Sequence, residues 1–172
     1  MKTKNEASEL IYIIDLPPSV RQFVGHLKKH IREVLGHSFD SQQVSPHISL
    51  FRQTDPHAER FLYDADHVLK SFKPFHINLK NLNVFKHGDK RTIYLEVVNK
   101  WPLCDVFEQL TGEQDFFPHV VIAKDLEAED FFRVWHSLKD YPYINYFRCD
   151  RVTVLKKETK KWVPYVELPF AA

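Results

Sequence analysis

Pro46-His47-Ile48-Ser49-Leu50, echoed late in the chain by Pro118-His119-Val120-Val121-Ile122-Ala123, is the stretch from which the fold can be read. A β-strand repeats every two residues, so His47 and Ser49 point to one face while Ile48 and Leu50 point to the other. A proton-transfer group and a hydroxyl side by side on one surface suit a phosphate ester. The second segment keeps the histidine and puts Val121 where the hydroxyl would be. A histidine strand that occurs twice implies a doubled unit with a paired site.

Working outward, strands and helices alternate with no long linker. Leu10 to Leu16 is an isoleucine-rich run ended by Pro17-Pro18 and predicts a first strand. Val20, Phe23, Val24, Leu27, Ile31, Val34 and Leu35 then recur at helical steps, and Gly36 sits where a helix stops. After the His47 strand, Asp55-Pro56 predicts a helix cap and first turn. The next helix buries Ala58, Phe61, Leu62, Ala65, Val68, Leu69 and Phe72. Pro74 ends it, and Phe75 to Phe85 predicts a long strand paired with Thr92 to Val98 through the turn His87-Gly88-Asp89.

The second half follows the same order. Trp101-Pro102 opens a helix that Gly112 closes, the His119 strand follows, and Asp125 predicts the cap of a helix carrying Phe131, Val134, Trp135 and Leu138. Two final strands, Ile144 to Lys156 and Trp162 to Phe170, flank the charged turn at Lys157-Glu158-Thr159-Lys160. The expected architecture is α+β. It is one domain of two pseudo-symmetric lobes, with two antiparallel sheets packed face to face, helices outside, and a cleft where the histidine strands approach.

Composition sets the outer bounds. The chain has 172 residues, 44% apolar and 27% charged, the mix of an ordinary globular protein. A net charge of +1 provides no global field toward nucleic acid, so any such attraction is local. Cys104 and Cys149 are the only cysteines and lack metal-site spacing, which points to a reduced compartment. The polar start Met1-Lys2-Thr3-Lys4-Asn5-Glu6 leads into an apolar run too short for a signal peptide or a membrane span. Cytoplasm, with no membrane partner, is the resulting expectation.

The chain resembles the two-histidine phosphoesterases, in the branch related to 2'-5' RNA ligases and cyclic phosphodiesterases. The resemblance rests on His47-Ile48-Ser49-Leu50 and Pro118-His119-Val120-Val121, framed by three further segments. These are Tyr12-Ile13-Ile14-Asp15-Leu16-Pro17 with Val20-Arg21, Pro74-Phe75-His76-Ile77-Asn78-Leu79, and Cys149-Asp150-Arg151-Val152-Thr153-Val154-Leu155. It implies a bilobal, pseudo-two-fold fold and a site in which His47 and His119 act as the acid–base pair. Ser49 donates to phosphate oxygens, and no metal or other cofactor is needed. The implied partners are nucleotide cyclic phosphates or RNA ends. Histidine suits both proton transfers because its ordinary pKa lies near neutrality.

Val121 departs from the family pattern, which carries serine or threonine there. Loss of one such donor costs about 3–4 kcal/mol of transition-state stabilisation. Two readings stay open: a weakened phosphoesterase, or a non-catalytic nucleotide- or RNA-binding module using the same cleft. Tyr12 is a second phosphate-binding candidate and Arg91 another replacement donor. Strand parity places Arg52 and Lys124 on the face opposite their histidines. His26, His30 and His37 share a flank of the first helix but lack a completing carboxylate or cysteine, so a solvated flank is expected rather than a metal site. The fourteen phenylalanines fall mostly on periodic apolar faces and read as core.

Overall fold

The computed structural model describes residues 7–172; the polar start at 1–6 lies outside them. In chain order the elements are β1 (Ser8–Asp15), α1 (Pro18–Leu35), β2 (His47–Asp55), α2 (Ala58–Leu69), β3 (Phe75–His87) and β4 (Lys90–Val97). These are followed by α3 (Trp101–Thr111), β5 (His119–Glu127), α4 (Ala128–Leu138), β6 (Ile144–Cys149), β7 (Arg151–Glu158) and β8 (Lys161–Pro169). The α+β class and the antiparallel pairing are as expected. None of the described helices is long and apolar enough to cross a membrane.

Local chemistry accounts for most boundaries. Pro18 supplies a pre-set φ at the first turn of α1, and Gly36, at φ 74°, takes the left-handed conformation that ends it. Gly112, at φ 75°, ends α3 in the same way. Two predicted caps are corrected. The Asp55 carboxylate accepts from the His57 amide at 2.7 Å, so it builds a turn, and α2 starts only at Ala58. Asp125 lies inside β5 at φ 55°, and its carboxylate pairs with His87 at 3.0 Å; α4 begins three residues later.

The sheet arrangement also differs from expectation. The strands form one eight-stranded sheet in the order β6-β3-β4-β5-β2-β1-β7-β8, not two sheets face to face. Its halves, β6-β3-β4-β5 and β2-β1-β7-β8, meet edge to edge at the register pair Ile48↔Val120. The run read as one strand from Ile144 to Lys156 is two, broken at Asp150. Its first part pairs with β3 in one half, its second with β1 in the other.

The core forms between one face of this sheet and the inner faces of all four helices. Leu10, Tyr12, Ile14, Ile48, Val120 and Ile122 join Val24, Leu69, Leu103 and Val134 in one apolar cluster. Burial of a large aliphatic side chain contributes about 1.5–3 kcal/mol, so this contiguous cluster dominates the stabilisation. Ile11 and Ile13, of opposite parity on β1, are buried but lie outside that cluster. They belong to the other face, which no helix covers. His47 and His119 turn to that helix-free face, since Ile48 and Val120 between them are buried on the helix side.

Candidate functional site

The single pair Ile48↔Val120 sets the geometry. Both residues are fully buried on the helix side, so His47, Ser49, His119 and Val121 all turn to the opposite, open face. Carried one residue either way, the antiparallel register sets Ser49 opposite His119 and Val121 opposite His47. The two histidines are then diagonal neighbours, about 7–8 Å apart in ideal sheet geometry. Both histidines are half-buried, neither sealed in hydrocarbon.

Each ring is held by the same local device. His47 Nδ1 lies 2.7 Å from the carbonyl of Ser45, and His119 Nδ1 lies 2.8 Å from that of Phe117. In both cases the carbonyl belongs to the residue before a proline. A carbonyl only accepts, so Nδ1 carries the proton of the neutral ring and Nε2 is left as the working atom. Ser49 Oγ is 2.9 Å from His47 Nε2 and donates to it. The paired X-Pro-His sequence was the signal for this clamp, and its meaning emerges only with the backbone in view.

Both histidines have pKa values lowered from the ordinary imidazole value. Burial is the main cause for His47; the Ser45 carbonyl opposes it, the Lys28 charge adds to it, Asp15 opposes it and Arg52 adds slightly. For His119 burial again leads, against the Phe117 carbonyl. The apolar surroundings are visible: the rings of Phe85, Tyr94 and Phe117 stand 5.0, 5.6 and 5.9 Å from that of His119. Both imidazoles are therefore mainly neutral at pH 7 in the unliganded protein.

Two β-bulges overturn the parity expected for Arg52 and Lys124. Across β1 and β2, Ser49 pairs with Ile13 and Phe51 with Tyr12, so Leu50 and Phe51 together occupy the helix side. Arg52 then pairs with Ile11 and returns to the face of Ser49. In β5, Val121 pairs with Tyr94 and Ala123 with Ile93, so Ile122 and Ala123 are both core residues and Lys124 follows on the open side. An extra residue in one strand re-aims every side chain beyond it. The Arg52 guanidinium lies over the Trp162 ring, 5.4 Å from its centroid.

Other candidates are displaced. Tyr12 is 0% exposed on the helix side, stacked on Phe51 at 4.4 Å, and its hydroxyl has no partner. Burial and the Glu59 charge push its pKa up, and it faces away from the histidines, so it is not a phosphate ligand. Arg91 donates to the Gly88 and Lys90 carbonyls and closes the β3–β4 turn. His30 bonds Ser137 Oγ at 2.9 Å and His37 lies 3.3 Å from an Asp130 oxygen, both helping α1 dock on α4. Among the described residues no cluster of three or more His, Cys, Asp or Glu is placed to hold a metal ion.

Tyr94 is the residue that sequence reasoning missed. It is the register partner of Val121, and its ring touches that of His119. A phenol therefore stands beside the position that lacks a hydroxyl. No periodicity rule marks it, because the pairing of β4 with β5 is a long-range fact.

Comparison with known proteins agrees with this fold. A family model described as the 2'-5' RNA ligase superfamily matches residues 16–161. Escherichia coli LigT complexed with 3'-AMP is similar in structure, with TM-score 0.69 and 14% identity over 97% of this chain and 100% of that one. TT0787 of Thermus thermophilus gives TM-score 0.67 at 16% identity, over 94% of this chain and 97% of that one. Kluyveromyces marxianus Usb1 with uridine monophosphate gives 0.50 at 14% identity, over 96% and 99%. At such identities the likeness is one of fold. No curated protein matches the chain in sequence.

Proposed function

This chain belongs to the 2'-5' RNA ligase superfamily, and from that premise we propose that it is a phosphoesterase acting on a cyclic phosphate or phosphodiester at an RNA end. The observation that carries the reading is the pair of carbonyl-clamped histidines, diagonal across β2 and β5 on an open face. The nucleotides bound in two of the similar structures support a nucleotide ligand here. The two unpaired cysteines support a cytoplasmic setting.

In this reading the phosphate lies between the rings. His47, whose affinity for a proton the Lys28 and Arg52 charges lower and which accepts from Ser49, is the base. It takes a proton from the attacking water as the new P–O bond forms. His119, protonated once the anionic substrate is bound, returns a proton to the ribose oxygen as its P–O bond breaks. Ser49 turns its hydroxyl to a non-bridging oxygen, and Tyr94 takes the donor role absent at Val121. Reversible 2'-5' ligation is the same acid–base chemistry with a ribose hydroxyl in place of water.

Turnover of uridine 2',3'-cyclic phosphate by the purified protein tests the proposal. His47→Ala and His119→Ala are each expected to lower kcat about 10²–10⁴-fold. Because both ordinary pKa values are lowered, the base is available at neutral pH while the acid loses its proton as pH rises. The kcat/KM profile is therefore expected to peak on the acid side of neutrality and fall toward alkali. Turnover that persists with both histidines replaced refutes the assignment. The valine at position 121 favours one alternative, a nucleotide-binding module without turnover. Calorimetry that finds nucleotide binding, alongside no hydrolysis at any pH, would select it.

A further inference from the structure

Lys28 is the one buried charged side chain among the described residues, 6% exposed on the inner face of α1. Val24, Leu27 and Ile31 beside it pack in the apolar core, where an aliphatic stem fits and a charge is costly. The ammonium is met by backbone rather than by a carboxylate: it donates to the carbonyls of Ser41 and Val44, both at 2.7 Å. Burial pushes its pKa down to about 8, so at neutral pH it remains mostly charged and both bonds are charge-assisted.

Those carbonyls belong to the turn that leads into β2. Ser41 is held at φ 70°, a left-handed conformation that its side chain disfavours, and its carbonyl also accepts from the Val44 amide at 3.1 Å. Lys28 therefore secures both ends of an unfavourable turn. One residue past Val44, the Ser45 carbonyl accepts from His47 Nδ1. At the other end, Ser41 Oγ donates to the Ile122 carbonyl at 3.3 Å and accepts from the Lys124 amide at 3.2 Å. Its hydroxyl thus takes up the β5 backbone just past Val120, where β2 supplies no register partner.

The seam between β2 and β5 makes this turn consequential. Every other pair of neighbouring strands shares at least four register positions, while these two share only Ile48↔Val120. The turn supplies a second attachment, running from the clamp of His47 to the strand of His119.

We propose that Lys28 is a positioning residue: by holding the turn 41–44 it fixes the His47 ring and ties it to the His119 strand, so that the two imidazoles keep one separation. The inference rests on the site reading given above and deepens it by naming what sets the geometry of the pair. Lys28 acts through the backbone, from the helix side of the sheet.

Lys28→Met keeps the apolar stem and removes the charge. Imidazole nitrogen NMR reads the tautomer of each histidine without any turnover. In the full chain both neutral rings are expected to carry the proton on Nδ1. In Lys28→Met, His47 is expected to become a mixture of tautomers, while His119, clamped by Phe117, keeps its own. With uridine 2',3'-cyclic phosphate, kcat should fall about 10²-fold, the scale of a misplacement of about 1 Å, while KM changes little. Ser41→Gly is the companion variant, because glycine relieves the left-handed backbone and removes only the hydroxyl tether. It should leave the His47 tautomer intact and speed hydrogen exchange of the backbone amides at the β2–β5 seam by roughly five-fold or more. A pure Nδ1–H tautomer of His47 in Lys28→Met overturns the proposal, and so does unchanged exchange in Ser41→Gly. Lys28→Gln, neutral but still a donor, gives the same reading if the methionine variant does not fold. A full chain that turns over no cyclic phosphate would sink the phosphoesterase reading, while the tautomer and exchange comparisons still decide the role of Lys28.

Discussion

Val121 and Tyr94 face one another across β4 and β5, and in the proposed mechanism this pair sets whether the His119 half of the site has an oxyanion donor. If the phenol fills the role, Tyr94→Phe lowers kcat/KM by about 10²–10³-fold. Val121→Thr then recovers much of that loss in the Tyr94→Phe background and gains little in the wild type. Steady-state kinetics of the four proteins checks this, and an unchanged Tyr94→Phe would show that the site works without the phenol. His47, His119 and Ser49 were legible from sequence because strand parity alone places them. Tyr12 was misplaced: it lies on β1, paired with the His47 strand, but faces the helices, and only burial reveals which face is which.

Helix ends carry plain local signals, and the glycines of α1 and α3 show how far these extend. Gly112 sits at φ 75° with open space around it, so Gly112→Ala is expected to cost about 1–2 kcal/mol from backbone strain alone. Gly25 lies within α1 and is likewise uncrowded, so Gly25→Ala should stabilise by about 1 kcal/mol. Urea denaturation of the two variants gives opposite shifts of midpoint; shifts of the same sign would contradict this account. Strand interiors were less legible. The bulges at Leu50-Phe51 and Ile122-Ala123 contain no Gly or Pro, and the trace they leave is two consecutive apolar residues where alternation calls for one. The break at Asp150 was hidden because the strand continues in direction while changing partner, from β3 to β1. Pairing across the chain, not propensity, made that difference.

At the scale of the molecule, the doubled order of elements was readable, but the way its halves combine was not. The first unit runs β1-α1-β2-α2-β3, and β3 leaves it to lie between β6 and β4. The second runs from β4 to β8, and β7 leaves it to lie against β1. The first unit thus lends one strand to the other's hydrogen-bonded array, and the second lends two, since β8 follows β7. The exposed turn at Gly88-Asp89 is the one covalent join between them. Cleaving it is expected to yield two pieces that fold only when mixed and then co-elute on size-exclusion chromatography. A fragment that folds by itself would contradict this. Such an arrangement behaves as a clasp, and its spacing between histidines belongs to neither piece. Ancestral duplication followed by reciprocal exchange would leave this imprint, and it ties the drift permitted in one copy to the integrity of both.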